Sequence, residues 1–230
     1  MSGMAVDPEV VAAAFAEEFS SNGIPGLGAS TLKAMRDLKA GVHWALAGRK
    51  GEHAAGNGAA MRIAPLAFFL DVNDSSHRRT VRDVCRITHH NDEAYVAALA
   101  VLRAMQLHSD SSDALAMVAG DLPDTNVRDV LMTLTKLPDD TTAKQAAAIT
   151  RTSGYAPESV PLAVFIATKA NSLESGILSA VGCGGDTDTI ASIVGHILGA
   201  QGHSVPVEWL SRLPCTEAIE ALCEDLAPPS

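Results

Sequence analysis

The sequence predicts an all-α protein of roughly ten helices, and three observations carry that prediction. Apolar residues recur at three- and four-residue spacing in one segment after another, as with Val11, Phe15 and Phe19. Hydroxyl and carboxylate residues stand in front of these segments as caps, and Gly or Pro closes them. No segment alternates apolar and polar residues between hairpin turns, and no repeat of fixed period is present. Composition agrees: 47% of the residues are hydrophobic but only 4% are aromatic, so helices would meet through small side chains.

Asp7-Pro8-Glu9 opens the first helix with a cap, a Pro at the first helical position and an acid in the first turn; Asn22 to Gly26 ends it. Ser30 is the expected cap of a second helix bearing Leu32, Met35 and Leu38, closed by Gly41. Residues 48–60 read as a loop. Val81, Val84, Cys85 and Thr88 mark the next helix, ending near His89-His90-Asn91, and Asp92 starts another through Ala94, Ala98, Leu102 and Met105. Ser111-Ser112-Asp113 and Pro123-Asp124 begin two more, the second with Val127, Val130, Leu131 and Leu134. Pro138 to Thr142 concentrates carboxylates and hydroxyls, but a loop and helix start before Ala143-Lys144-Gln145 accounts for them. Glu158 to Pro161 is expected to open an apolar helix from Leu162 to Ala167. Glu174 to Val181 is a short helix, and the tail carries Trp209, Leu213, Ile219 and Leu222 on two more.

A chain of 230 residues suits one domain spanning 1–230. Its formal net charge is −10 and no Lys/Arg run is present, which argues against a nucleic-acid partner. An anionic ligand remains compatible, because backbone amides or a bound cation can hold one. Cys85, Cys183, Cys215 and Cys223 form no C-x-x-C pair or zinc spacing, so free thiols in a reducing cytoplasm are expected. Cys183 lies beside a Gly-rich turn, yet no His or Asn near it in sequence equips it as a nucleophile. With no signal-type leader or membrane-length apolar run, a cytoplasmic protein is expected.

The chemistry concentrates in Gly182-Cys183-Gly184-Gly185-Asp186-Thr187-Asp188-Thr189. Asp186, Asp188 and Thr189 are hard oxygen donors of the kind that Mg2+ or Mn2+ prefers. A helix cap would also place Asp or Thr before the apolar run that follows, but one cap needs one oxygen and this turn offers four. Gly56-Asn57-Gly58 suggests positive φ angles and room for a ligand at backbone amides; an ordinary tight turn is the alternative. Adjacent histidines at 89 and 90 lack the i, i+4 spacing of a helical metal pair, which leaves a surface or capping role for one of them.

Several of these segments resemble, in order and spacing, the ADP-ribosylglycohydrolase family. Gly184 to Ile190 matches its metal-binding signature, Gly56 to Arg62 its G-N-G-x-x-M-R loop, and Thr88-His89 a Thr-His pair. Gly154-Tyr155 with Glu158-Ser159-Val160-Pro161 resembles the segment before its penultimate long helix. The resemblance implies an all-α fold, two Mg2+ (or Mn2+) ions under an ADP-ribose cleft, and hydrolysis of ADP-ribosyl linkages. It implies Asp186, Asp188 and Thr189 as metal ligands, Gly56, Asn57, Gly58 and Met61 along the diphosphate and distal ribose, and His89 lining the cleft. Its expected partner is ADP-ribose or an ADP-ribosylated protein.

Family members carry a Gly-rich first helix with a functional carboxylate, and a T-D-D-T motif, ahead of the part matched here. Asp139-Asp140-Thr141 falls in the wrong order to replace them. The resemblance therefore implies half of the metal shell, with one ion or none, and no assignable catalytic carboxylate. Two outcomes are expected: a hydrolase, or an ADP-ribose-binding relative with impaired catalysis that serves as an interaction protein. Self-association, or a partner chain covering the place of the absent helices, is a further expectation.

Overall fold

In the computed structural model, which describes residues 6–21, 26–107 and 113–226, local caps set many of the helix starts. Asp7 Oδ1 accepts from the Glu9 amide at 2.8 Å and opens α1 (Pro8–Ser21). Its expected terminator at 22–25 lies outside the described residues. Helix α2 (Ala29–Lys39) begins one residue before Ser30; Gly28 takes the cap position and Ser30 is buried in the first turn. Strand β1 (Arg49–Lys50) is followed by a 3-10 turn at Glu52–Ala54, the single turn α3 (Gly58–Met61) and a second 3-10 turn at Ala64–Phe68.

Asp74 accepts from the Ser76 and His77 amides to cap α4 (Ser75–Arg86). That helix stops before Thr88: residues 89–90 extend into β2 (His89–His90), which pairs in parallel with β1. Two residues are too few for alternation to show in a sequence, so this pair was not expected. Asn91 caps α5 (Asp92–Gln106), one residue ahead of the anticipated start, by accepting from the Glu93 amide.

Next come α6 (Ala114–Gly120) and α7 (Asn126–Leu134). Of the start expected for α6, Ser111 and Ser112 lie outside the described residues. Thr142 and Gln145 close a reciprocal capping box at the start of α8 (Ala143–Thr150), so the acids at 139 and 140 do belong to a helix approach. Helix α9 (Ala156–Lys169) begins earlier than expected, with Pro157 in its first turn and Pro161 inside it. Pro at the first turn costs nothing, because those amides have no helical partner. Ser172 and Ser175 form another capping box ahead of α10 (Leu173–Gly182), and α11 (Thr187–Ala200) follows the acidic turn. Two tail helices, α12 (Val207–Leu210) and α13 (Thr216–Leu226), complete the described chain. The described helices number thirteen rather than ten, partly because single turns such as α3 and α12 show no periodicity in a sequence.

The core forms where helices have no polar face to spare. In α5 every residue from Val96 to Leu102 is buried, and in α9 every residue from Ser159 to Ala167. Helix α11 buries Ile190, Ile193, Val194, Ile197 and Leu198, each worth about 1.5–3 kcal/mol of burial. Gly176 lets α10 approach α11: a Cβ there would lie 2.5 Å from Leu198 Cδ1. This packing fixes the axis of α11 and therefore where its acidic N-terminus emerges. All four cysteines are free, and burial pushes the Cys85 thiol up to about 12. Among the described residues no helix is long and apolar enough to cross a membrane.

Candidate functional site

The acidic turn takes its shape from two glycines and a threonine. Gly184 and Gly185 both sit in the left-handed region, with φ of +75° and +76°. Gly185 is pressed against Thr152, where a Cβ would meet the Thr152 side chain and carbonyl oxygen. One residue on, the Asp186 amide donates to the Thr152 carbonyl at 2.8 Å. Thr152 thus anchors the turn, and nothing in its sequence surroundings signals that role.

Asp186 then meets the Gly-Asn-Gly loop. Asn57 Nδ2 donates to Asp186 Oδ2 at 2.6 Å and to Ser159 Oγ at 2.9 Å. Asn57 is buried, so its two amide hydrogens are both engaged within the protein and the side chain is held in one orientation. Ser159 Oγ donates onward to the Tyr155 carbonyl at 3.3 Å. Backbone bonds join the same segments: Asn57 N to Gly154 O at 3.0 Å, and Ala156 N to Ala55 O at 2.9 Å. Three stretches, near residues 57, 155 and 186, therefore meet at Asn57.

The Asp186 carboxyl beside Asp188 holds the latter below the usual carboxylate range, helped by the amides of Thr189 and of Asp188 itself. Thr189 is buried and points its hydroxyl at Met61 Sδ, 3.7 Å away, while Met61 itself is partly exposed.

Gly56 and Gly58 do not adopt the expected positive φ. Their missing side chains serve a different purpose: a Cβ at Gly56 would lie 3.2 Å from His89 Nε2, and one at Gly58 would lie 3.3 Å from His89 Cε1. The imidazole occupies the space that the glycines leave open. His89 is buried, its Nδ1 2.6 Å from Thr88 Oγ1, while His90 is half-buried. Desolvation, with a smaller push from the Arg62 charge, lowers its pKa to about 3, so the ring is neutral at physiological pH. Arg62 ties the loop from below, donating to the Gly58 carbonyl at 2.9 Å and the Val84 carbonyl at 3.2 Å, with its guanidinium 5.5 Å from the centre of the Phe15 ring.

As a cation site, the turn offers two carboxylates and one hydroxyl. Among the described residues no group of three His, Cys, Asp or Glu side chains gathers around a common point. This donor set fits one Mg2+ that keeps several waters, and it falls short of what two ions require.

The class these features define is a helical protein with paired acids at the N-terminus of a buried helix, one of them held by a buried amide on a glycine loop that a neutral imidazole backs. The match to known proteins gives that class its family. The family described as ADP-ribosylglycohydrolase matches residues 2–230, and the chain belongs to it. It is 29% identical to an uncharacterized protein of Archaeoglobus fulgidus, covering 96% of this chain and 72% of that one. It is 28% identical to human ADP-ribosylhydrolase ARH3, again over 96% of this chain and 72% of the relative. A solved ADP-ribosylglycohydrolase-related protein complex superposes with a TM-score of 0.67 at 26% identity, covering 97% of this chain and 81% of that one.

Proposed function

We propose that this protein hydrolyses ADP-ribosyl glycosidic linkages, releasing ADP-ribose from a modified side chain or a related compound. The observation that carries the reading is the Asp186–Asn57–Ser159 junction, which joins three separated segments through the Asn57 amide. Family membership and the likeness to ADP-ribosylhydrolase ARH3 support it.

In this reading Asp186, Asp188 and Thr189 hold Mg2+ or Mn2+, which when bound lowers the pKa of a coordinated water and orients hydroxyls of the ribose. Asn57 keeps Asp186 aimed by donating to its Oδ2. Neutral His89 backs the Gly56–Gly58 loop without adding charge, so the loop keeps its place beneath the diphosphate. Met61, partly exposed beside Thr189, borders the distal ribose.

A second reading, an ADP-ribose-binding protein with impaired turnover, is favoured by the donor set, which falls short of two ions. Calorimetric titration with ADP-ribose, with and without Mg2+, combined with an assay for ADP-ribose release from a modified protein, separates the two. Metal-dependent binding with release, both lost in Asp186→Ala, supports the hydrolase. Binding that survives EDTA and Asp186→Ala without release supports the binding protein. Absence of any ADP-ribose binding refutes both.

A further inference from the structure

Arg82, Arg86 and His90 recur at four-residue spacing, and folding adds Lys50 to make a basic notch on the opposite side of β2 from His89. Strands β1 and β2 pair with Arg49 opposite His89 and Lys50 opposite His90. Successive strand residues face opposite ways, so His89 turns to the Gly-Asn-Gly loop and His90 turns away from it. Burial there lowers the His90 pKa against the opposing hydrogen bond to Ala47, and the positive charges of Lys50, of Arg86 in the last turn of α4 and of Lys33 in α2 lower it further. Its Nε2 lies 2.7 Å from the Ala47 carbonyl, an acceptor, so Nε2 carries the proton.

A cavity of about 300 Å³ opens at this point, lined by Arg82, Arg86, His90, Asn91 and Asp92. Asp92 is the one acid in the lining, and Arg82 already engages it at 3.1 Å. The Arg82 Nε is buried without a hydrogen-bond partner among the described residues. The Arg86 guanidinium and the Lys50 ammonium have no ion-pair partner there either. Lys33 is already paired with Asp37, so a bound anion would supply the partner that Arg86 and Lys50 lack.

We propose that this notch binds a small phosphate-bearing anion. Guanidinium forks and an ammonium match phosphate oxygens in both charge and donor geometry. The cavity stands at the small end of ligand pockets, which suits one or two phosphate groups rather than a whole dinucleotide. The site is separate from the Asp186 corner and does not depend on the activity proposed for it.

Calorimetric titration of the full chain with inorganic phosphate, pyrophosphate and ADP, at fixed salt, tests the proposal. Arg86→Ala and Lys50→Ala are compared with Arg212→Ala, an exposed cation of the tail, after equal melting temperatures establish that all three fold. Saturable binding with one site is expected, weakened about tenfold or more in Arg86→Ala and Lys50→Ala and unchanged in Arg212→Ala. Stronger binding of pyrophosphate than of phosphate assigns a diphosphate ligand, and equal binding a single phosphate; ADP binding no tighter than pyrophosphate places the nucleoside outside the notch. Three results overturn the proposal: no saturable binding, binding insensitive to Arg86 and Lys50, or an equal loss in Arg212→Ala, the mark of diffuse charge screening.

Discussion

Gly184 and Gly185 form a paired test of how the acidic turn is built. Both have left-handed backbones, so replacing either by Ala incurs about 1–2 kcal/mol of local strain. They differ in their surroundings. A Cβ at Gly184 meets nothing within 4 Å, whereas one at Gly185 would lie 2.6 Å from Thr152 Cβ and collide with the Thr152 carbonyl that holds the Asp186 amide. Backbone on both sides leaves little room to relax, which adds about 1–3 kcal/mol of overpacking. Gly184→Ala should therefore cost about 1–2 kcal/mol and Gly185→Ala about 2–5 kcal/mol. At about 2 °C per kcal/mol for a chain of this size, those losses lower the Tm by about 2–4 °C and about 4–10 °C respectively. Thermal melts of the two variants beside the parent measure this, and amide exchange at Asp186 should speed up only in Gly185→Ala. Equal shifts in the two variants would refute the role given to Thr152.

Asn57→Asp preserves shape but turns two donated hydrogen bonds into a carboxylate facing Asp186, so stability should fall by about 2–4 kcal/mol in urea unfolding; a variant as stable as the parent would remove Asn57 from the site's framework. His89 yields a pH signature. The unfolded ring takes up its proton near pH 6.5 and the folded ring only near 3, so the unfolded state binds more protons between those values. Stability contributed by neutral His89 is complete above pH 6.5 and is lost at about 1.4 kcal/mol per pH unit as pH falls toward 3. Unfolding free energies from pH 4 to 7 should show that slope reduced in His89→Gln, and an identical slope in the variant would contradict the assignment. Thiol labelling of the native protein should modify exposed Cys215 and Cys223 and spare Cys85 until the chain unfolds; native labelling of Cys85 would place it nearer the surface than described.

Local interactions were legible in the sequence. The capping box at Thr142 and Gln145, the start of α1 at Pro8 and the glycine–acid turn ahead of α11 all depend on residues within a few positions of one another. Apolar periodicity likewise announced α5, α7 and α11, because a helix repeats its buried face every three or four residues. Boundaries slipped by a few residues, as at α9, which starts at Ala156 ahead of the expected opening at Glu158 to Pro161.

What only the tertiary structure decided are the partners that lie far apart along the chain. Asp186 finds Asn57 across 129 residues, and His89 fills the space beside Gly56 and Gly58. Lys33 and Lys50 come from earlier segments to the charges of Arg86 and His90. A sequence records which donors and acceptors exist, and its local spacing shows which of them share a turn. Which distant ones meet depends on the packing of α5, α9 and α11, whose buried faces place the acidic turn against the glycine loop.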